Sequence, residues 1–406
     1  MITNLRAENF KSWKDTGDLR LAPLTGLFGT NSSGKSSILQ VLLMMKQTAE
    51  HRDPKRVLKL GEDFPGDERL YVELRSFRDL IHGHQESSQL GLGISWESET
   101  PGVWLPPGTR IQFEATISEA EKQIVVRGFS YVVDGRKPPM TDLESSLHFY
   151  GAQLGSPPQD AELFDLQYSL EERLRAILYL GPLRTEPQAS YLWSGSPPID
   201  VGRRGEFAIQ ALLAMRGKND RVEQQVVEWL KKLDLISSMH LSPISEKRED
   251  YEVRVKQTPV SAEVLLPDVG FGVSQILPVL VLCAYAEEGS ILLLEQPEMH
   301  LHPSAQSELA DVIIDAVRKR KLQIIVESHS EHFLRRLQLR IAKEELLAKD
   351  AALYFCHMEN GESKAELLRL TEDGYIKNWP PNFFGDEMGD IVAMTEASIG
   401  RRRRDK

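Results

Sequence analysis

Two different periods of apolar residues divide the chain. Between residues 91 and 133, apolar and polar positions alternate in three stretches separated by Gly and Pro turns, which predicts antiparallel strands. Beyond residue 268, short apolar runs alternate with stretches whose apolar spacing is helical. The runs 290–294 and 322–326 are typical of strands covered on both faces of a parallel sheet. The pattern therefore predicts an α/β fold, with a mostly parallel sheet and flanking helices, plus an antiparallel β arm and a helical insertion.

Residues 29–36 read Gly-Thr-Asn-Ser-Ser-Gly-Lys-Ser, which is a complete phosphate-binding loop. An apolar run at 24–28 precedes it and a stretch of helical spacing at 37–47 follows, so a helix N-terminus would point at the phosphates. Lys35 should reach the β- and γ-phosphates, and the Ser36 hydroxyl should ligate Mg²⁺. In and beside the loop, we expect these residues to bind ATP: Gly29, Asn31, Ser33, Gly34, Lys35, Ser36 and Ser37.

Composition and charge narrow the class of protein. With 406 residues and a formal net charge of −11, the chain is not a basic nucleic-acid-binding protein as a whole, and we interpret the arginines at 401–404 as a solvated tail. Cys283 and Cys356 lie in apolar context and should be buried thiols. No secretory signal is visible, and the longest apolar stretch, 276–286, is too short to cross a bilayer. We expect a cytoplasmic protein without a membrane-spanning helix.

A second group of motifs follows in the C-terminal half. The apolar run 291–294 ends in Glu295, at the strand edge where Mg²⁺ needs a further oxygen ligand. The run 322–326 continues into Glu327-Ser328-His329. Upstream, residues 268–275 supply a glycine turn and a serine at the start of a helix, which is another anion-binding arrangement.

Taken in order, these motifs resemble an ABC-class ATPase head, of the kind shared by SMC proteins and the overcoming-lysogenisation-defect (OLD) family. In detail the chain is most similar to stand-alone AAA-type ATPases related to OLD proteins. The matching segments are 8–12, 29–36, 179–184, 201–206, 268–278, 295–303, 327–330 and 378–380 with 383–384. The resemblance therefore covers nearly the whole chain, although we interpret residues 179–184 as a structural strand exit.

The resemblance implies a role for each matching residue. Glu295 takes the acidic Mg²⁺-side position, and His329 matches the switch histidine that contacts the γ-phosphate. Leu301 and His302 fall in the loop that crosses the dimer interface. The signature motif, which touches ATP bound to a second protomer, corresponds to Gly272, Ser274 and Gln275. The implied species is a head-to-tail homodimer around ATP and Mg²⁺, with higher oligomers left open.

Position 296 departs from the family pattern. Most ABC heads place a second carboxylate there to polarise the attacking water, whereas this chain has Gln296. An amide can orient water but cannot accept a proton, and losing a general base commonly costs on the order of 10²- to 10⁴-fold. Either Glu295 or Glu298 supplies the carboxylate, or hydrolysis is slow and the ATP-bound dimer is long-lived; we favour slow hydrolysis. The candidate catalytic residues are Glu295, Gln296, Glu298 and His329.

The biological setting rests on the resemblance alone. OLD proteins carry a Toprim nuclease domain, but few residues follow Ser330, and Asp386, Glu387 and Asp390 do not follow a strand. We therefore expect the nuclease domain to be absent and a separate effector, such as a nuclease, to be the partner. The favoured function is a regulator or sensor in prokaryotic anti-phage defence. The alternatives are an SMC-like DNA-binding repair or maintenance ATPase and, less in keeping with the motifs, a transporter ATPase. Nucleic-acid binding is left open.

The expected domain division has five parts. They are a first ATPase half with the phosphate loop (1–60), an antiparallel β subdomain (61–150), a helical insertion (151–262), a second ATPase half with the signature, acidic and switch-histidine motifs (263–360), and a C-terminal extension with a basic tail (361–406).

Overall fold

The computed structural model describes most of the chain. The described residues are 1–50, 57–60, 70–74, 76–84, 88–98, 105–137, 161–216, 218, 221–245, 249–381, 383–384, 394–395 and 397. The predicted loop at 157–160, the arginine run at 401–404 and the acidic positions Asp386, Glu387 and Asp390 lie outside these ranges.

Sixteen strands and eight α-helices are formed by the described residues. The strands are β1 (Ile2–Phe10), β2 (Trp13–Asp15), β3 (Leu19–Arg20), β4 (Leu24–Gly29), β5 (Leu90–Glu97), β6 (Arg110–Ala120), β7 (Gln123–Val133), β8 (Ile177–Leu180), β9 (Tyr191–Leu192), β10 (Ser238–Pro243), β11 (Asp250–Lys256), β12 (Val264–Leu265), β13 (Ile291–Glu295), β14 (Gln323–Glu327), β15 (Ala351–Glu359) and β16 (Glu362–Leu367). The helices are α1 (Lys35–Glu50), α2 (Phe77–Leu80), α3 (Ala161–Arg175), α4 (Ala208–Met215), α5 (Arg221–Lys232), α6 (Phe271–Tyr285), α7 (Pro303–Arg320) and α8 (Glu331–Ala342).

The central sheet has the strand order β16-β15-β4-β14-β13-β8. All neighbours in it are parallel except β15 and β16, which form an antiparallel hairpin. This arrangement confirms the predicted mostly parallel sheet. Strand β14 lies between β13 and the phosphate-loop strand β4, with Glu327 beside Leu27 on one side and Glu295 on the other. The strand order therefore brings Glu327 closer to the phosphate loop than Glu295.

Both faces of this sheet are covered by apolar cores. In β13, Leu292 and Leu294 belong to the core formed with α4 to α8, whereas Ile291 and Leu293 belong to the core formed with α1, α3 and the antiparallel sheet. Burial of alternate residues on opposite sides explains why residues 291–294 of β13 and 324–326 of β14 are all apolar. The two cores hold the strand ends, and hence the motifs, in a fixed relative position.

The predicted antiparallel arm is confirmed as β5, β6 and β7, but it is not a separate sheet. Strand β5 pairs with β1, and the sheet has the order β2-β1-β5-β6-β7 with β3 also on β1. The range predicted as a helical insertion contributes α3, α4 and α5. It also contributes β8 at the edge of the parallel sheet and strands β9, β10 and β11 of a small sheet, which β12 completes from beyond this range.

Other expectations concern buried thiols and membrane spans. Cys283 and Cys356 are free and buried, and burial raises the pKa of each thiol to about 12, as expected for inert cysteines. Within the described ranges, no helix has the length and apolar character that a membrane span requires.

Candidate functional site

The phosphate loop connects β4 to α1 in a shape that only glycine permits at two positions. Gly29 has φ 137°, and a Cβ there would lie 1.9 Å from the carbonyl oxygen of Cys356 in β15. Gly34 has φ 84°, and a Cβ there would lie 2.5 Å from Ser363 Oγ in β16. The indole of Trp13 donates a hydrogen bond to the Gly34 carbonyl at 3.0 Å. The β15–β16 hairpin therefore fixes the loop in place, which the sequence pattern did not reveal.

The side chain of Lys35 is buried against the loop itself. Its Nζ donates to the carbonyl oxygen of Thr30 at 2.6 Å and to that of Gly29 at 3.2 Å. Burial lowers the pKa of Lys35, and the charge of Glu327 opposes that shift. The two carbonyl oxygens accept hydrogen bonds from ammonium N–H groups that would otherwise donate to a phosphate oxygen. The ammonium therefore already lies at the loop before a phosphate binds.

A cleft of about 250 Å³ opens over the loop at the N-terminal end of α1. It is lined by Ser12, Asn31, Ser32, Ser33, Gly34, Lys35, Ser36, Ser37, Gln296, Glu327 and His329. The structure thus brings the predicted loop residues together with Gln296 and His329. It adds Ser12, Ser32 and Glu327, to which the sequence assigned no role. The unpaired N–H groups and dipole of a helix N-terminus favour an anion at such a place.

Glu327 is the carboxylate that faces the phosphate loop. Glu327 and Ser36 both line the cleft, and burial raises the pKa of Glu327, against the lowering effects of Ser36 and Lys35. The side chain is 3% exposed, and its Oε2 has no hydrogen-bond partner among the described residues. The signal for Glu327 was present in the sequence, because it ends an apolar strand as Glu295 does.

Glu295 lies one strand further from the loop and is held by the segment after β8. The hydroxyl of Tyr179 donates to Glu295 Oε1 at 2.9 Å, and Nη2 of Arg184 lies 3.4 Å from the Glu295 carbonyl oxygen. Burial raises the pKa of Glu295 to about 7, with the charge of Glu327 contributing. Residues 179–184 are therefore more than the strand exit that we predicted, because two of their side chains position the acidic motif.

Arg184 is itself buried and only partly satisfied. It is 7% exposed, and within the described part of the chain its Nε and Nη1 have no hydrogen-bond partner. Burial lowers the pKa of Arg184 to about 10, whereas the nearby Tyr179 and Glu295 act in the opposite direction. The Arg184 guanidinium is therefore a buried positive charge near Glu295, at the carboxyl end of β13.

Gln296 and His329 reach the cleft from the loops after β13 and β14. Gln296 has φ 44°, an uncommon conformation for a residue other than glycine, and its N–H donates to the Glu327 carbonyl at 2.8 Å. His329 lines the cleft, and burial together with the charge of Lys35 lowers its pKa, which favours the neutral form of the ring.

Glu298 lies outside the cleft and holds the loop that carries His329. It accepts hydrogen bonds from Ser328 Oγ at 2.7 Å and from the His329 N–H at 2.8 Å. Burial raises the pKa of Glu298, and these hydrogen bonds oppose the shift. The geometry assigns Glu298 to positioning the switch loop, and this argues against its use as the replacement general base.

The signature segment does not meet the phosphate loop within the chain. Gly272, Ser274 and Gln275 occupy the first turns of α6, and none of them lines the cleft. The Ser274 hydroxyl donates to the Phe271 carbonyl at 2.9 Å. Phe271 is 56% exposed, and its ring lies edge-on to that of His300, with centroids 5.0 Å apart. The segment therefore lies outside the cleft over the phosphate loop of its own chain.

The loop at residues 300–302 lies beside this segment. Leu301 is buried in the core, and His302 accepts a hydrogen bond from the Ser304 N–H to cap α7. Only part of the loop predicted to cross a dimer interface is therefore available at the surface.

Comparisons with known proteins define the class. The AAA ATPase domain family matches residues 1–90 and 208–334, more than half of the chain, and the protein belongs to this family. A family described as a protein of unknown function (DUF3696) matches residues 346–394. One protein that is similar in sequence is an OLD nuclease of Thermus scotoductus (strain ATCC 700910 / SA-01), which is 24% identical to this chain over 372 residues. That alignment covers 82% of this chain but 60% of the relative's length.

A solved structure confirms the fold. The SMC head bound to the C-winged helix domain of ScpA superposes with a TM-score of 0.53 at 14% identity, covering 91% of this chain and 98% of that one. The chain is therefore a member of the AAA ATPase domain family that is similar in sequence to an OLD nuclease and has the fold of an SMC head, as the motifs indicated.

Proposed function

We propose that this protein binds ATP with Mg²⁺, dimerises head-to-tail around the nucleotide and hydrolyses it slowly. The observation that carries this proposal is a cleft that holds one half of an ATPase site. Lys35, Ser36 and His329 line or contact it, while the signature residues lie elsewhere on the chain. A second copy would supply the missing half by symmetry.

The residues present fit a magnesium ion held together with nucleotide phosphates. Ser36 and Glu327 offer adjacent oxygens, and one carboxylate oxygen is buried without a protein partner in the described structure. No group of three or more His, Cys, Asp or Glu in the described part could hold a metal alone. This suits Mg²⁺, which is usually bound by few protein ligands and the substrate phosphates. When bound, the ion neutralises charge on the transferring phosphate.

The chain's own side chains would then act in fixed roles. Lys35 exchanges its bonds with the loop carbonyls for phosphate oxygens, and His329, already placed beside Gly29, contacts the γ-phosphate. Gln296 orients the attacking water in the cleft but takes no proton from it. Hydrolysis is therefore slow, and the ATP-bound dimer persists as a signal.

The partner and setting follow from the named relative. Because an OLD nuclease shares 24% identity with this chain over 372 residues, we propose a cytoplasmic role in anti-phage defence with a separate effector such as a nuclease. The competing function is an SMC-like ATPase that acts on DNA. In that case added DNA would stimulate hydrolysis, and binding would weaken steeply with salt.

The first test measures ATP-dependent association by sedimentation. Wild-type protein should sediment as a monomer without nucleotide and as a dimer with MgATP, whereas Lys35→Ala should stay monomeric. Lys14→Ala, which removes a lysine that is 67% exposed outside the cleft, is the matched control and should dimerise. Tight ATP binding by Lys35→Ala would contradict the assignment.

A further inference from the structure

Among the described residues, Glu327 is the one carboxylate that lines the cleft over the phosphate loop. The fold accounts for this placement, because β14 pairs directly with β4 while β13 pairs with β14. Adjacent strands lie roughly 4.8 Å apart, so Glu295 is about one strand spacing further from the loop. Glu295 is also engaged by Tyr179, and it does not line the cleft.

Ser36 lines the cleft together with Glu327. A serine hydroxyl oxygen has two lone pairs, so Ser36 can offer an oxygen to a cation that lies beside Glu327. The second oxygen of Glu327, Oε2, is buried and without a hydrogen-bond partner in the described residues. An unsatisfied buried carboxylate oxygen is costly and requires an explanation, and a bound cation supplies one.

Lys35 does not satisfy this oxygen. Its ammonium is committed to the carbonyls of Thr30 and Gly29, with Ser33 Oγ 3.5 Å away. The region around Glu327 therefore combines a free carboxylate oxygen and a serine hydroxyl at the edge of a polar cleft.

We propose that Glu327 is a carboxylate of the Mg²⁺ site, acting with Ser36 on the ion that accompanies the nucleotide. Glu295 then supports the site from the next strand, held there by Tyr179. The inference rests on the proposed function, since it needs a nucleotide in the cleft. The carboxylate nearest the phosphate loop is then Glu327 at the end of β14, and not Glu295 in the acidic motif of β13.

The test uses Glu327→Gln, which removes the charge but keeps nearly the same side-chain shape and one oxygen acceptor. Mn²⁺ serves as the probe, because the free ion gives an electron paramagnetic resonance signal that is lost on binding. Wild-type protein with ADP should bind Mn²⁺, and Glu327→Gln should bind it on the order of 10- to 100-fold more weakly. Affinity for ADP in EDTA should be unchanged. Glu359→Gln, an exposed position at the end of β15, is the control and should match wild type.

The outcomes separate the inference from the proposed function. Equal Mn²⁺ affinity of Glu327→Gln and wild type, with ADP bound by both, overturns the role of Glu327 and leaves the ATPase assignment standing. Weaker ADP binding by Glu327→Gln in EDTA also overturns it, because the side chain would then be shaping the loop. Glu327→Asp, which keeps the charge, should hold Mn²⁺ more tightly than Glu327→Gln, and the reverse order contradicts the inference. No nucleotide binding by the wild type overturns both.

Discussion

Replacing Gln296 by glutamate tests whether a missing proton acceptor limits hydrolysis. Gln296 lines the cleft from a left-handed backbone position, and its N–H is bonded to the Glu327 carbonyl. Glutamate has nearly the same shape and keeps this backbone bond. The substitution therefore adds a carboxylate where the attacking water is expected, with little change in packing.

The size of the effect follows from the surroundings of position 296. A positioned general base contributes on the order of 10²- to 10⁴-fold. Glu295 already has its pKa raised to about 7, and burial raises that of Glu327, so a third carboxylate would titrate high as well. We expect kcat to rise by about 10²-fold at pH 7, toward the lower end of that range. The gain should grow with pH, because only the ionised carboxylate accepts a proton.

The assay is phosphate release at saturating MgATP, measured between pH 6 and 9 for wild type, Gln296→Glu and Gln296→Ala. The alanine variant controls for loss of the amide and should be no faster than wild type. ATP affinity is measured alongside, to show that the cleft is intact. If Gln296→Glu binds ATP but turns over at or below the wild-type rate, the missing-base argument fails.

Three further changes test the structural account. Gly34→Ala should weaken ATP binding by at least about 10-fold, because Gly34 has φ 84° and a Cβ there would lie 2.5 Å from Ser363 Oγ. Gly17→Ala is the control and should bind ATP normally, because Gly17 is also at positive φ but has open space around it. Burial would raise the pKa of Asp311, but two hydrogen bonds from Arg340 hold this pKa below its usual value. The ionised Asp311 therefore stabilises the folded protein above about pH 4, and this contribution is lost as the pH falls through the folded-state pKa. Asp311→Asn should therefore lower the free energy of unfolding by about 2 kcal/mol at pH 7 and flatten its loss in acid, as measured by urea titration. Phe383→Ala should cost about 3 kcal/mol in the same titration, because the ring is buried against the aromatic side chains below the phosphate loop.

Local patterns in the sequence predicted the central elements well. The apolar runs before Gly29 and Glu295 are strands because each is buried on both faces, and the helix after the phosphate loop begins at Lys35, two residues before the predicted start. The five-part domain division stays a proposal. Helix α6 begins three residues earlier than predicted, at Phe271, which places Ser274 in its first turn.

What the sequence could not supply was the order of strands and the contacts that it creates. Nothing local shows that β14 lies between β4 and β13, and this order alone gives Glu327 its place beside Ser36. The hydrogen bond from Tyr179 to Glu295 joins residues 116 positions apart. Strand β15 was missed because it is defined by pairing with β4 and not by alternation of apolar residues.

The central claim is that each nucleotide site is shared between two chains, and complementation tests it most directly. Lys35→Ala inactivates the phosphate loop, and Ser274→Arg inactivates the signature segment, so each variant alone should be unable to hydrolyse ATP. In an equimolar mixture, mixed dimers keep one of their two sites with both parts intact, whereas Lys35→Ala alone stays monomeric. We therefore predict recovery to at most about half of wild-type hydrolysis. Mixed dimers that form, as shown by differently tagged chains, but recover no activity would contradict the shared site.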